Sequence, residues 1–443
     1  MFQRVTMRSN LITNGCRMKF TKSFDAPNPI PNVGIENAVS LMKNGMLYRY
    51  GHIDSDINFD SPDSPHAEHS EVSKLELAFG QYTGHKYVVA VNSCGSAMFI
   101  ALKAMDIQPN DKVFTNAFTF TAVPSSIVHA NAIPVYVECN DQYVIDVEHF
   151  EQQITENPDV KYFILSHMRG HVAELDKIQA LCDKHGIRLI EDCAHGLGKR
   201  WNPNDSDNAG FVGHHCEIAC YSAQSHKMLN SGEGGFIATN DEKLAAYCIL
   251  AAGSYENLYK KHLARPMDDA LFENIKLDVP NFSLRMNNLT AAILRPQIAL
   301  IDERIASYKE KHNRIVEILS EIECFNIPQA VDASDHVGDS LQFNLVDFDR
   351  EHVDEFVSRC AEKGVKIQIF GLDDNARDFR NWKYSFDAMP NMDKTADIIS
   401  CACDLRLPIT FTMEDIELLG STITEVIEEM INQGVKISGT SAK

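Results

Sequence analysis

The sequence contains no run of eighteen apolar residues, so nothing in it reads as a membrane-spanning helix. It contains no Cys-x-x-Cys pair. Its 12 cysteines are scattered, which fits reduced thiols in the cytoplasm better than a disulfide framework. Basic residues are scarce: 41 Lys and Arg stand against 62 Asp and Glu, a formal net charge of −21. Such acidity argues against nucleic acid or an anionic membrane surface as a partner. The first residues, MFQRVTMRSNLITNGCRMKF, lack the continuous apolar segment of a signal peptide. They carry Arg4, Arg8, Arg17 and Lys19, with Lys22 just beyond, and no acid. This reads as a partly mobile basic arm, with a transit peptide as the alternative. His214, His215, Cys216 and Cys220 are close together, but no second Cys/His pair sits at finger spacing, so no metal is expected. The acidic stretch His52 to His69 reads as a solvated loop, with an active-site flap as the alternative.

What is present is ordinary globular material, 44% hydrophobic over 443 residues, too long for one core. Val72, Leu75, Phe79 and Tyr82 recur at helical steps from Ser70, and Gly84 stops the helix. Strands are predicted at Tyr87–Asn92, Lys112–Thr115, Ile133–Glu138, Lys161–Ser166 and Arg188–Asp192. Helices are predicted between them at 97–104, 121–130 and 175–185. Strands alternating with helices make βαβ units and a mostly parallel sheet. Ligands of such sheets lie beyond the carboxyl ends of the strands. A helical pattern from about 287 to 322 links this part to a second α/β segment, with strands at 341–346 and 365–370. The last helix opens on a capping box, Thr412-Met-Glu-Asp415. The expected organisation is an N-terminal arm (1–30), a large domain (31–300) and a small C-terminal domain that includes the linking helix (301–443).

Four features fall at or after strand ends. Asn92-Ser-Cys-Gly-Ser-Ala97 is a small-residue turn opening a helix, where free N–H groups suit a phosphate, although many βα turns look alike. Asp192 ends an apolar strand in Ile190-Glu-Asp-Cys-Ala-His195. It could ligate a metal, act as a base, hold a protonated ring nitrogen or merely cap a helix. Tyr221-Ser-Ala-Gln-Ser-His-Lys227 precedes Gly232-Glu-Gly-Gly235 and a further strand. A lysine held inside between strand and glycine turn loses solvation, which lowers its pKa and makes its amine a nucleophile able to form a Schiff base. Phe114-Thr-Asn-Ala-Phe-Thr-Phe120 supplies rings for core packing or for stacking on a flat cofactor.

In this order, with Ser-x4-Lys-x4-GEGG as the specific part, the features resemble the DegT/DnrJ/StrS type of pyridoxal-phosphate-dependent sugar aminotransferase. The resemblance runs from about Asn32 to the closing Leu405-Arg-Leu-Pro408 and the last helix. It implies an α/β fold of type I, with a large cofactor domain and a smaller C-terminal one. It implies a homodimer with shared active sites. Lys227 would form the Schiff base with pyridoxal 5'-phosphate and act as the catalytic residue. Asp192 would pair with the pyridine nitrogen, His195 would reach the phenolic oxygen, and Phe120 would stack on the ring. Gly95, Ser96 and Ser222 would hold the phosphate. Many members carry Gly-x-Asn-x-Arg-Met where this chain has Asn281-Phe-Ser-Leu-Arg-Met286, so Ser283 stands where an Asn reaches the neighbouring subunit's phosphate.

Ser166-His-Met-Arg-Gly170, Gly45-Met-Leu-Tyr-Arg-Tyr50 and the apparent insertion at 52–69 most resemble the branch making 8-amino-3,8-dideoxy-manno-octulosonate, an amino sugar acid of lipopolysaccharide. The implied substrates are L-glutamate and a keto-sugar acid, whose carboxylates Arg49, Arg169 and Arg285 could meet. The alternatives are an aminotransferase for another nucleotide-linked keto-sugar or a keto-cyclitol, a sugar dehydratase of the same fold, in which His replaces the lysine, and a cofactor-sensing regulator.

Overall fold

The computed structural model describes residues 19–51, 70–202, 210–331, 333–334 and 337–435. The loop at 52–69 and the basic residues Arg4, Arg8 and Arg17 lie outside the described residues. In chain order the strands are β1 (Tyr87–Val91), β2 (Lys112–Asn116), β3 (Ile133–Val137), β4 (Tyr162–Ser166), β5 (Arg188–Asp192), β6 (Arg200–Trp201), β7 (Gly210–Phe211), β8 (Ile218–Ser222), β9 (Gly235–Thr239), β10 (Phe325–Asn326), β11 (Ser340–Leu345), β12 (Gln368–Ile369) and β13 (Cys403–Arg406).

Seven of these form one sheet in the order β1-β9-β8-β5-β4-β2-β3. Neighbours from β8 to β3 are parallel, and β9 alone runs against the rest. The strands are apolar and buried on both faces, as a helix-covered parallel sheet requires. Two clusters fill those faces. One is built on Leu75, Phe79, Phe114, Phe163 and Phe236, the other on Phe99, Ile100, Ile127, Ile190 and Ile249. The first helix expected from periodicity spans Glu71–Thr83, with Ser70 capping Ser73 N–H and Gly84 left-handed at φ 81°.

A four-stranded antiparallel sheet, β10-β11-β13-β12, forms a separate core with Phe343, Phe356, Leu405 and Ile423. The capping box forms as expected: Thr412 Oγ1 accepts from Asp415 N–H, and Asp415 accepts from Thr412 N–H. The second strand expected there, 365–370, pairs only over Gln368–Ile369, at the sheet edge. The helix Ile301–Leu319 serves both cores. Its Ile301 and Tyr308 pack with the large sheet, and its Ile315 and Leu319 with the small one.

The single helical stretch expected over 287–322 is divided. Helix Asn288–Leu294, a 3-10 segment Arg295–Leu300 and helix Ile301–Leu319 follow one another. Pro296 lacks the N–H that a continuous ladder needs. Gln297 turns inward there, exchanging hydrogen bonds with the Asn230 backbone at 2.7 and 3.0 Å.

Residues 19–30, the described part of the expected arm, are packed down. Phe20 and Phe24 sit in the small core against Phe411, and Lys22 pairs with Asp415. Asn28 donates to the carbonyls of Lys227 and Met228, both at 3.1 Å.

His85 is buried and His171 and His312 are half-buried, and their surroundings favour neutral rings. Burial lowers His85 and His312 to about 4 and His171 to about 3. A histidine depressed in the folded state takes up its proton first in the unfolded chain, so stability falls as pH drops from about 6.5 through about 4. The thermal midpoint is therefore expected to fall steadily between pH 7 and pH 4.5. A midpoint that is flat or rises across that window contradicts this burial.

Candidate active site

The carboxyl ends of β2, β4, β5 and β8 open into a cavity of about 610 Å³, closed on the far side by Gln368, Arg377 and Arg406 of the C-terminal part. Gly95, Phe120, Arg169, Asp192, His195, Ser222 and Lys227 all line it.

Asp192 ends β5 and is buried. Its Oδ2 accepts from Ser166 Oγ at 2.9 Å and its Oδ1 from Ala194 N–H at 3.1 Å. Ser166 is itself held by Asn116 and by Thr119 Oγ1 at 2.7 Å. Three adjacent strand ends thus fix one carboxylate in the cavity wall.

Lys227 follows β8. Its Nζ lies 2.6 Å from His195 Nε2. Burial, reinforced by the charge of Arg169 and opposed by Asp192 and Asp339, brings its pKa down to about 8. Roughly a tenth of the amine is then free base at pH 7, against well under a thousandth for an ordinary lysine. His195 is lowered to about 3, first by burial and then by Lys227. A neutral ring accepts from the ammonium through Nε2, which leaves Nδ1–H facing the Asp339 carboxylate at 3.7 Å.

The turn predicted to precede a helix is already its first turn, since the helix spans Cys94–Ala104 with Ser93 as cap. Ser93 Oγ accepts Ser96 N–H at 3.1 Å, and Ser96 Oγ donates to Asn92 at 2.7 Å. The Ser96 N–H expected to meet a phosphate is thus occupied by the cap. Gly95 N–H, in the first turn, has no intrahelical acceptor. Ser222 Oγ, at the end of β8, also faces the cavity and accepts from Gln224 N–H at 3.3 Å. Gly235 opens β9 directly beneath this turn. A Cβ there would come within 2.5 Å of the Ser93 backbone, which is why the glycine run must return at that point.

Phe120 is 43% exposed at the cavity, with Arg377 lying 5.5 Å from the ring centre on one side. Phe114 and Phe118 of the same aromatic segment are core residues.

Two of the three arginines singled out for substrate are elsewhere. Arg49 is wholly buried and clamps Glu76 through two hydrogen bonds of 2.8 and 2.9 Å. Arg285 donates to Gly253 O at 2.8 Å and is not among the cavity residues. Arg169 does line the cavity, in a left-handed conformation at φ 54°, but it is paired with Asp404. Ser283 is exposed, left-handed at φ 57°, and outside this cavity.

The cysteine and histidine cluster does not converge. His214 stacks on His85 and bonds to Thr83 O, and Cys220 lies in the core. One buried group among the described residues, His167, Glu191 and Cys193, has metal-ligand types. Its Glu191 is already engaged by His167 Nε2 at 2.8 Å and by the N–H groups of Gly213 and His215.

Asp339, Arg377, Arg406 and Gln368 escaped the sequence reading. The only available signal was Arg406 in the closing Leu-Arg-Leu-Pro, which reads as a strand end.

A lysine-bearing cavity at the carboxyl edge of this sheet belongs to the type I aminotransferase fold. The crystal structure of 3-amino-5-hydroxybenzoic acid synthase superposes with a TM-score of 0.74 over 92% of this chain and 99% of that one, at 21% identity. The chain matches the DegT/DnrJ/EryC1/StrS aminotransferase family over residues 66–424 and belongs to that family. It is 28% identical over 233 residues to the spore coat polysaccharide biosynthesis protein SpsC of Bacillus subtilis, covering 53% of this chain and 57% of that protein. It is 32% identical over 238 residues to the UDP-2-acetamido-2-deoxy-3-oxo-D-glucuronate aminotransferase of Pseudomonas aeruginosa, covering 53% of this chain and 60% of that protein. These alignments span little more than half of each relative.

Proposed function

We propose that the protein is a pyridoxal-phosphate-dependent aminotransferase that moves an amino group from L-glutamate to a keto-sugar. We take the acceptor to be the acid 8-keto-3,8-dideoxy-manno-octulosonate and the product 8-amino-3,8-dideoxy-manno-octulosonate. The observation that carries the aminotransferase part of this reading is the Lys227 amine, which lines the cavity, is lowered to about 8 and touches His195.

The donor set suits the cofactor. Asp192 is a fixed carboxylate for the pyridine nitrogen, and His195 lies beside the amine to meet the phenolic oxygen. Phe120 offers a ring face, and Gly95 N–H and Ser222 Oγ offer phosphate donors. Ser96 can contribute its hydroxyl only by leaving Asn92. When bound, the cofactor supplies a ring that draws off the electron pair left at the substrate's Cα. Lys227, once released, moves the proton away from Cα and returns one on the other side of the exchange, acting as general acid and base. A carboxylate at Asp192 favours a protonated ring nitrogen opposite it. Residues 31–300 would carry the cofactor and 301–443 would close over it.

A homodimer is supported by apolar side chains exposed on the helix Asn32–Asn44, namely Val33, Ile35, Val39 and Met42. Ser283 would then face the neighbour's phosphate. The eleven described cysteines are all free thiols, which supports a reducing compartment such as the cytoplasm. No described helix is long and apolar enough to cross a membrane.

A second reading, a nucleotide-linked keto-sugar as acceptor, is supported by the Pseudomonas relative. Incubation with glutamate and a panel of keto-sugars, read by mass, distinguishes them. The expected products are 2-oxoglutarate and the amino sugar acid. Amination of only the nucleotide-linked members favours the second reading, and absence of 2-oxoglutarate with every acceptor removes both.

A further inference from the structure

The loop that carries Lys227 has no ladder of its own. Residues 223–234 lie between β8 and β9 and belong to no strand or helix. Buried carbonyls in such a segment need partners from elsewhere. Lys227 N–H bonds back to Gln224 O at 2.9 Å, and Ser225 N–H to Gly232 O at 3.1 Å. The carbonyls of Lys227 and Met228 are both met by one side-chain amide, that of Asn28, at 3.1 Å each.

Asn28 belongs to the N-terminal arm, 199 positions before the lysine, and is only 4% exposed. Pro27 and Pro29 flank it. Each proline fixes its own φ and restricts the residue before it, so the amide is presented on a stiff stretch of chain. Its Oδ1 accepts from Tyr308 O–H at 2.6 Å, which leaves Nδ2 directed at the lysine loop. Its main-chain carbonyl accepts from Asn230 Nδ2 at 2.7 Å, so arm and loop hold each other. The divided helix supplies the rest of the hold. Arg304 donates to Met228 O at 2.7 Å, to Gln297 Oε1 at 2.9 Å and to Pro29 O at 2.7 Å. Arm, linking helix and lysine loop thus share one buried network, and a satisfied network rigidifies what it holds.

We infer that Asn28 is a positioning residue for the reaction: through the carbonyls of residues 227 and 228 it fixes the main chain from which the Lys227 amine reaches into the cavity. The inference rests on the aminotransferase reading for the reaction it serves. In that reading the released Lys227 amine works as acid and base at the end of a long, flexible side chain. A fixed main chain keeps this amine near the proton it moves, which is a contribution of placement rather than of substrate binding. Loss of the clip therefore acts on kcat and not on KM.

The test uses the full-length, cofactor-loaded enzyme with glutamate and three variants, Asn28→Ala, Asn28→Asp and Tyr308→Phe. Neither Ala nor an ionised Asp can donate to the two carbonyls. Both changes are expected to lower kcat roughly ten- to hundredfold while KM for glutamate stays within about threefold. Tyr308→Phe keeps the amide and loses only the group that orients it, so its kcat is expected to lie between. A second readout needs no turnover: hydrogen exchange of residues 223–231, followed by mass spectrometry. These amides are expected to exchange faster in the Asn28 variants while those of β5 and β8 stay protected. If the Asn28 variants do not fold, Tyr308→Phe carries both readouts. Wild-type kcat in the folded variants overturns the inference, whether or not the loop exchanges faster. So does a lowered kcat with unaltered exchange, a rise confined to KM, or loosening that spreads through the sheet. A wild type that makes no 2-oxoglutarate, with variants whose loop alone loosens, leaves the clip standing and removes the aminotransferase reading. An enzyme that transaminates equally well in all three variants does the reverse.

Discussion

Lys227→Ala is expected to abolish the absorbance of the Schiff base with pyridoxal phosphate and to reduce glutamate-dependent turnover by at least about 10³-fold, since general acid–base catalysis alone contributes about 10²–10⁴. Lys227 is the described amine in contact with His195 inside the cavity, and burial brings its pKa down to about 8. The measurement is 2-oxoglutarate formation, with the cofactor spectrum recorded on the same sample. The cavity is not expected to collapse, because the Asp192, Ser166 and Asn116 network that shapes it does not involve Lys227. An unaltered thermal midpoint would establish this. A variant retaining full turnover ends the mechanism. A second substitution, Asp339→Asn, probes the far side of His195. It removes the charge facing Nδ1 and is expected to change the pH at which the Schiff-base spectrum titrates while the fold persists.

The other large effect concerns stability. Replacing Arg49 by Leu leaves Glu76 as a fully buried carboxylate without its cation, and a loss of about 3–5 kcal/mol is expected. Burial alone would raise the Glu76 pKa, but Arg49 and His262 outweigh it and bring it to about 2. A carboxylate depressed in the folded state stabilises above its unfolded value, near pH 4.3, and that contribution disappears as pH falls toward about 2. Glu76 also accepts from Ala90 N–H at 2.9 Å, so the clamp ties the helix Glu71–Thr83 to β1. Arg49→Leu combined with Glu76→Leu is expected to be less damaging than either change alone, because no lone charge is left behind. Chemical denaturation of the four proteins checks this. Whatever folds is expected to keep its KM for both substrates. A rise in KM in folded Arg49→Leu would restore the substrate role its sequence position suggested.

The chain's own chemistry determined much of this protein. Strand and helix order, the Ser70 and Thr412 caps, the Gly84 stop and the lysine between β8 and the glycine return are local patterns of polarity, hydrogen bonding and backbone freedom. They need only neighbours a few residues away, so they are legible in sequence. So are Asp192 and His195, because β5 delivers both to one sheet edge. Charge pairing is different. Arg49 and Arg169 read either as substrate contacts or as structural ion-pair residues, and only the fold names the partners, Glu76 and Asp404, the second from more than two hundred residues away. Arg377 and Arg406 carry no site signal of their own in the sequence; Phe118, Thr121 and the C-terminal sheet set them at the cavity. Tertiary structure decided which arginines keep a charge to offer, because a guanidinium's availability depends on which distant carboxylates the fold places beside it. The scarcity of basic residues takes its meaning there: an acidic chain gathers Arg169, Lys227, Arg377 and Arg406 around one cavity.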